Sequence, residues 1–123
     1  MMLFTQEQRT KMLANGAKSA ASADGSFDAA PVVKLFTPDG GATWLLSELD
    51  PDRPDIAFGL CDMGTGFPEL GSVSISELES VRGKMGLPVE REQYTTFPAD
   101  VPMSRYADEA RKAGGITLDF LRG

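Results

Sequence analysis

Apolar residues between positions 32 and 75 gather in four short segments, at 32–37, 43–49, 56–62 and 70–75. The gaps between them are rich in Gly, Pro and Asp, which favour turns. Short apolar segments separated by such turns are typical of successive antiparallel strands. A parallel crossover needs about a dozen or more connecting residues, and these gaps are shorter. The pattern therefore predicts a four-stranded antiparallel meander over residues 32–75.

Alternate residues of a strand lie on opposite faces of a sheet. In the second segment this period places Trp44 and Leu46 on one face, and Leu45 and Leu49 on the other. The third segment has one face of small residues and one face of larger residues; the small ones are Ala57, Gly59 and Cys61, and the larger ones are Ile56, Phe58 and Leu60. Small residues allow a helix to pack closely. We therefore expect helices mainly on one face and a partly wet second face.

Before the meander, residues 1–16 predict an N-terminal helix. Thr5 is a suitable N-cap because Gln8 follows three residues later, which is the spacing of a capping box. Gly16 is placed to end this helix. Residues 17–31 are rich in Ala and Ser around a lone aromatic residue, Phe27, and predict a linker.

After the meander, residues 76–123 predict a helical and extended part. Ser76 and Glu79 form a second capping box, and Ser104 is expected to cap a third helix that ends at Gly114. In the tail, Ile116, Leu118 and Phe120 alternate with polar residues and favour a fifth strand at the sheet edge. The expected fold is a single α+β domain over residues 1–123, with one antiparallel sheet of four or five strands and about three helices.

The composition of the 123 residues, with 41% hydrophobic and 24% charged, is that of an ordinary globular domain. One cysteine, Cys61, cannot form an intramolecular disulfide, and the first residues do not have the pattern of a secretory signal. No apolar run approaches the length that a membrane span needs. We expect a cytoplasmic protein that does not insert into a membrane.

The formal net charge of −6 opposes direct binding to nucleic acid or to anionic lipid, because such binding rests on Lys and Arg at phosphate groups. It suits a protein that offers carboxylates to a basic partner. The chain has no histidine, which excludes Ser–His and Cys–His catalysis and imidazole metal sites. The residue pattern predicts no catalytic residue, no metal site and no cofactor, and therefore a protein that is not an enzyme.

Carboxylates concentrate around the turn between the second and third strands. Antiparallel connectivity brings the end of one strand beside the start of the next. Four acidic residues are therefore expected at one sheet edge as a candidate partner-binding site: Glu48, Asp50, Asp52 and Asp55. Two further acidic residues, Asp62 and Glu69, are expected at the opposite edge.

A glycine-rich turn between the third and fourth strands is a candidate ligand loop. Gly64, Thr65 and Gly66 allow close approach of a ligand to the backbone, and Trp44 is a candidate wall of a pocket there. A phosphate loop would need a helix directly behind it, whereas a further strand follows this turn. A connecting turn is the simpler interpretation.

Several segments together resemble a known bacterial family; they are Lys34-Leu35-Phe36, Thr43-Trp44-Leu45-Leu46-Ser47-Glu48-Leu49, Ala57-Phe58-Gly59-Leu60-Cys61-Asp62, Glu69-Leu70-Gly71-Ser72-Val73 and Pro102-Met103-Ser104-Arg105-Tyr106-Ala107. The resemblance is to the small proteins classed as domain of unknown function 2958, and it covers about residues 31–115. It implies occurrence on plasmids, conjugative elements and phages. It implies no catalytic role for any residue.

Three functional hypotheses follow. The first is an accessory protein of a mobile genetic element that binds a protein partner, which could itself be a basic nucleic-acid-binding protein. The second is an acidic DNA mimic that inhibits a host defence nuclease, of the anti-restriction or anti-CRISPR type. The third is a small-ligand binder or enzyme that uses the Gly64-Thr65-Gly66 loop.

Overall fold

A computed structural model describes residues 3–122. Met1, Met2 and Gly123, which the predicted segments 1–16 and 76–123 include, lie outside the described residues. Across residues 3–122, three α-helices and five strands make an α+β fold, which was the predicted class. The strands are β1 (Val33–Phe36), β2 (Thr43–Leu49), β3 (Ile56–Asp62), β4 (Glu69–Ser74) and β5 (Glu90–Arg91); the helices are α1 (Gln6–Ala21), α2 (Ile75–Ser80) and α3 (Met103–Ala113), and a 3₁₀ helix follows at Asp119–Arg122.

The sheet has the strand order β4-β3-β2-β1-β5, and all of its pairs are antiparallel. The meander prediction for β1 to β4 is therefore confirmed, with β2 and β3 at the predicted bounds. The fifth strand is not the tail, as the alternation of Ile116, Leu118 and Phe120 suggested, but Glu90–Arg91 beside β1. Phe120 packs instead against the ring of Tyr106, with a centroid distance of 5.1 Å. Aromatic packing on α3 thus outweighs pairing at the sheet edge.

An irregularity in β2 changes the face of its last residues. Leu46 pairs with Gly59 and Glu48 pairs with Phe58, so that Ser47 is an extra residue opposite β3. This β-bulge shifts the two-residue period by one position. Leu49 therefore joins Trp44 and Leu46 in one core cluster, and the prediction that placed it on the face of Leu45 is wrong.

Each face of the sheet carries a hydrophobic core. On the first face, Met12 of α1 and Leu78 of α2 are buried in the cluster that contains Trp44 and Ala57. The small-residue face of β3 thus packs against helices, as predicted. On the second face, α3 and the C-terminal tail cover Leu45 and Leu60. This face was expected to be partly wet, and it is open mainly beyond α3, along β4, where Leu70 is 37% exposed.

The N-terminus of α1 matches the prediction, but its C-terminus does not. The Gln8 amide donates to Thr5 Oγ1 at 3.1 Å and the Thr5 amide donates to Gln8 Oε1 at 2.9 Å, which completes the predicted capping box. The helix continues through Gly16 to Ala21, so it takes the first part of the predicted 17–31 linker. Gly16 is a packing residue rather than a terminator, because it lies against the Leu49 carbonyl oxygen.

The other two helices are capped by residues that the sequence pattern did not indicate. Ser74, not Ser76, is the N-cap of α2 and accepts from the Glu77 amide at 3.3 Å. At α3, the expected cap Ser104 lies inside the helix, and its amide donates to Asp28 Oδ1 at 3.2 Å. A carboxylate from the segment after α1 thus satisfies the positive end of α3. The helix ends at Gly114, as predicted.

Candidate functional site

Three of the four acidic residues proposed for partner binding lie in the wall of one open cavity. Glu48, Asp50 and Asp52 line a pocket of about 500 Å³ at the edge where β2 turns into β3. Asp55 lies in the same turn, outside this lining. We call this cavity, with its three carboxylates, the acidic pocket. Among the described residues that line it, none is a lysine or an arginine.

The walls of the acidic pocket come from four other parts of the chain. One side is the C-terminal half of α1, where Gly16 brings the helix against the end of β2. The segment after α1 contributes Gly25 and Phe27, the lone aromatic residue of the predicted linker. The remaining lining residues are Ser19, Ala20, Leu49, Pro51, Ile56, Ala57, Phe58 and Ser72.

A row of side chains crosses three strands at this site. Glu48 pairs with Phe58, and Phe58 pairs with Ser72 of β4. Directly paired residues of antiparallel strands have their side chains on the same face. The bulge at Ser47 is what brings Glu48 into this row, because without the extra residue the face of Glu48 would be reversed.

The carboxyl group of Glu48 is half-buried, and this changes its acidity. Burial raises its pKa because the charged form loses water, and the nearby carboxylate of Asp28 raises it further. The hydroxyl of Ser19 acts in the opposite direction as a hydrogen-bond donor. Glu48 is therefore a partly buried carboxylate whose charge is compensated by a hydrogen bond but by no cation among the lining residues that the structure describes.

Asp50 and Asp55 are engaged in holding the backbone. Asp50 Oδ1 accepts from the amides of Asp52 at 2.9 Å and Arg53 at 3.3 Å, which fixes the turn. Asp55 accepts from both hydroxyls, Ser74 Oγ at 2.7 Å and Ser76 Oγ at 2.8 Å, and these bonds lower its pKa. Within residues 3–122 no hydrogen bond reaches the Asp52 carboxylate. Glu48 and Asp52 are thus the carboxylates best placed to meet a ligand.

The acidic residues at the opposite edge do not form a similar site. Asp62 is buried and accepts from the amides of Gly64 at 2.8 Å and Ile116 at 2.9 Å. It ties the C-terminal tail to the turn after β3. Glu69 is exposed on β4. The hypothesis of an acidic DNA mimic stays a prediction. Asp62 is buried, however, and Asp50 and Asp55 accept hydrogen bonds within the fold.

The candidate ligand loop and its tryptophan are not brought together. Gly64 and Gly66 have positive φ angles of 80° and 90°, which a tight turn requires, and Thr65 is exposed between them. Trp44 is only 3% exposed and belongs to the core under α1. Neither the acidic pocket nor a second pocket of about 280 Å³ at the β1–β2 turn is lined by this loop or by Trp44.

Sequence reasoning missed the non-acidic part of the site. The period of β3 placed Phe58 on the face now seen to be open, and this was the available signal. Ser19 lies in the segment predicted as a linker, and the sequence pattern assigned Ser72 no role beyond its place in the fourth strand. Their meeting with Glu48 depends on the path of the segment after α1, which local patterns do not specify.

Cys61 is the one cysteine of the chain. The thiol of Cys61 is half-buried, and burial raises its pKa, which disfavours the nucleophilic thiolate. Across residues 3–122, no group of three or more metal-ligating side chains stands close enough to hold an ion. No helix in this part of the chain has the length and apolarity that crossing a membrane requires.

The fold and the site define a small α+β protein with one helix-backed antiparallel sheet and an acidic surface pocket. A family model described as "Protein of unknown function (DUF2958)" matches residues 3–117. The chain therefore belongs to this family, and the resemblance seen in its sequence is confirmed. Comparison with curated proteins and comparison with solved structures give no match.

Proposed function

We propose that this protein is a non-enzymatic interaction protein whose acidic pocket receives a basic side chain of a protein partner. The observation that supports the proposal is the half-buried Glu48 in a cavity with two further carboxylates and, among its described lining residues, no basic side chain. A carboxylate in such a place costs stability unless a cation compensates it. A lysine or arginine from a partner provides that compensation.

The shape of the pocket suits a long basic side chain better than a small ion. The apolar stem of lysine or arginine can pack against Phe27 and Phe58, while the charged head meets Glu48 and Asp52. A guanidinium group can also stack on an aromatic ring. In contrast, calcium prefers six or more oxygen ligands.

The proposed setting of this interaction is supported by the family resemblance and not by the site. We propose that the protein acts in the cytoplasm as an accessory protein of a mobile genetic element. The partner is then a protein of that element or of its host, and a basic nucleic-acid-binding protein fits the charge of the pocket.

The test is capture of partners from an extract of the source cells, with matched charge variants as bait. The pocket variant is Glu48→Gln with Asp52→Asn, and both substitutions preserve side-chain shape. The control is Glu79→Gln with Asp119→Asn, which removes the same charge from exposed positions outside the pocket. Recovered proteins are quantified by mass spectrometry at low and high salt.

We expect a basic protein to be recovered by the wild type and by the control, and to be lost with the pocket variant. Recovery should fall as salt is raised, because exposed charges are screened. Equal loss with both variants would indicate attraction by net charge alone. Equal recovery with all three baits would show that the acidic pocket is not the binding site.

A further inference from the structure

The two edges of the sheet differ in how they are protected. At one edge β5 has only two residues, Glu90 and Arg91, and both are charged. At the other edge β4 has six residues, of which only Glu69 is charged; Glu69, Leu70 and Ser72 are exposed, and the other three are partly buried. Natural sheets usually shield an edge with short strands, charges or proline, because a bare edge can pair with another chain. β4 has little such protection.

The backbone groups that β4 leaves unpaired can be identified from the ladder. The Ile75 amide donates to the Asp55 carbonyl oxygen at 2.7 Å. Hydrogen-bonded and non-bonded pairs alternate along antiparallel strands. Val73 and Gly71 therefore bond to β3, whereas Leu70 and Ser72 direct their N–H and C=O groups outward. No hydrogen bond from the rest of the described chain reaches these outward groups.

Two rows of side chains end at these outward residues. One row runs from Leu45 through Leu60 to Leu70 and is apolar. The other is the row of Glu48, Phe58 and Ser72, which lines the acidic pocket. Both rows lie on the same face. A strand added to β4, about 4.8 Å away, would extend each row by one side chain.

We propose that an extended segment of the partner pairs antiparallel with β4 and places a basic residue beside Ser72 and an apolar residue beside Leu70. Because an antiparallel strand runs in the opposite direction, its basic residue comes first, and the apolar residue follows two positions later. The recognised pattern is therefore basic–any–apolar. This inference rests on the proposed function, since the charged group of the partner's basic residue reaches the acidic pocket across the small side chain of Ser72.

Charge favours such a partner over a second copy of this chain. Each copy carries a net charge of −6, and β4 itself contains no basic residue. Pairing of β4 with β4 of another copy would leave Glu48 and Asp52 uncompensated. An extended basic segment supplies both the backbone pairing and the missing cation, as in other cases of strand addition to a sheet edge.

The first step of the test is selection from a displayed library of nine-residue segments, in which alternating threonine and valine flank three randomised central positions. We expect enrichment of arginine or lysine at the first of these positions and of an aliphatic residue at the third. The selected peptide is then synthesised with capped ends and titrated against the full chain, with the amide resonances of Leu70 and Ser72 observed by NMR.

Backbone methylation of the peptide separates edge pairing from simple attraction. Methylation of the amide of the basic or the apolar residue removes a donor that points at β4 and should weaken binding about tenfold or more. Methylation of the residue between them affects an amide that points away, and should leave affinity within about twofold. The variant Ser72→Pro should weaken binding similarly, because its outward N–H is lost without loss of a ladder bond.

The outcomes distinguish this inference from the function on which it rests. If selected peptides are basic but bind equally well with either methylation, edge pairing is wrong and the pocket proposal survives. If binding depends on methylation but not on Glu48→Gln with Asp52→Asn, the basic–any–apolar pattern is wrong. If the selection enriches no basic residue, the proposal of an extended basic segment at β4 is wrong. It is also wrong if the chain forms a dimer that Ser72→Pro dissociates. Because methylation alters the peptide and not the protein, the test of edge pairing does not depend on the folding of a protein variant.

Discussion

Gly16 of α1 lies directly against the main-chain carbonyl oxygen of Leu49, so closely that a β-carbon at this position would overlap it. The neighbouring Asn15 donates its Nδ2 to the carbonyl oxygen of Ser47 at 2.9 Å. The last pair between β1 and β2 is Val33 with Leu46, and α1 thus packs beside β2 beyond the end of β1. This contact sets the position of the helix that forms one wall of the acidic pocket.

Gly16→Ala should therefore destabilise the fold, although alanine is the better helix former by about 1 kcal/mol. The overlap with the Leu49 carbonyl group forces the helix away from β2, and we expect a net loss of about 2 kcal/mol in the free energy of unfolding. Urea denaturation followed by circular dichroism measures it. Gly71→Ala is the control, because a β-carbon there meets nothing within 4 Å. Equal stability of the two variants would contradict the packing role of Gly16.

Gly16 also shows why the end of α1 could not be predicted. A glycine near the end of a polar helix ordinarily signals termination, because its flexible backbone disfavours the helical interior. Here tertiary packing overrides local propensity. The same holds for Ser47, since nothing in the alternation of β2 indicates a bulge, yet the bulge decides the face of Leu49.

The candidate site was predictable to the extent that it depends on connectivity. The antiparallel turn brings Glu48, Asp50 and Asp52 to one place, as the strand pattern indicated. Which carboxylates remain available depends on partners distant in sequence. Asp55 binds Ser74 and Ser76, about twenty positions away, and no local pattern reveals that pairing.

Asp55→Asn should lower the melting temperature at neutral pH. The amide nitrogen that replaces one carboxylate oxygen cannot accept from the hydroxyls of Ser74 and Ser76. These bonds lower the pKa of Asp55 below the ordinary 3.8. The stabilisation is therefore fully present above pH 3.8 and is lost as pH falls through the lowered pKa.

Melting curves between pH 2 and pH 7 test this dependence. The difference in melting temperature between the wild type and Asp55→Asn should be largest near neutral pH and should shrink in acid. Asp52→Asn is the control, because its carboxylate accepts no hydrogen bond within the described chain. A difference that is constant with pH would show that the charge of Asp55 does not stabilise the start of α2.

The turn at residues 83–87 is held by Asp39, and this contact should appear as energetic coupling. Asp39 Oδ2 accepts from the Met85 amide at 2.6 Å, and a β-carbon on Gly83 would overlap the same carboxylate. Gly83→Ala should therefore destabilise the wild type more than it destabilises Asp39→Ala. We expect a coupling energy of roughly 1 kcal/mol in a double-mutant cycle measured by urea denaturation. Strictly additive effects on the free energy of unfolding would show that Asp39 and Gly83 are not energetically coupled.

Glu48→Gln should raise stability at neutral pH. Such a result would show that the native carboxylate lowers the stability of the free protein. Burial raises the pKa of Glu48 above the ordinary 4.5, so folding favours its neutral form. The stability of the wild type relative to the glutamine variant is thus fully present below pH 4.5 and is lost as pH rises through the raised pKa. The two proteins should have equal melting temperatures in acid. Towards pH 7 the melting temperature of the variant should become the higher of the two.

A ligand that compensates the charge of Glu48 should stabilise the wild type more than the glutamine variant. A bound basic side chain stabilises the ionised form of Glu48, so the selected basic peptide should raise the melting temperature of the wild type more than that of Glu48→Gln. A carboxylate that weakens the free protein and strengthens the complex is expected of a binding residue rather than of a residue that maintains the fold. If Glu48→Gln instead destabilises the free protein at pH 7, the carboxylate stabilises the fold through its hydrogen bond with Ser19. The proposal that the acidic pocket binds a basic side chain would then lose its main support.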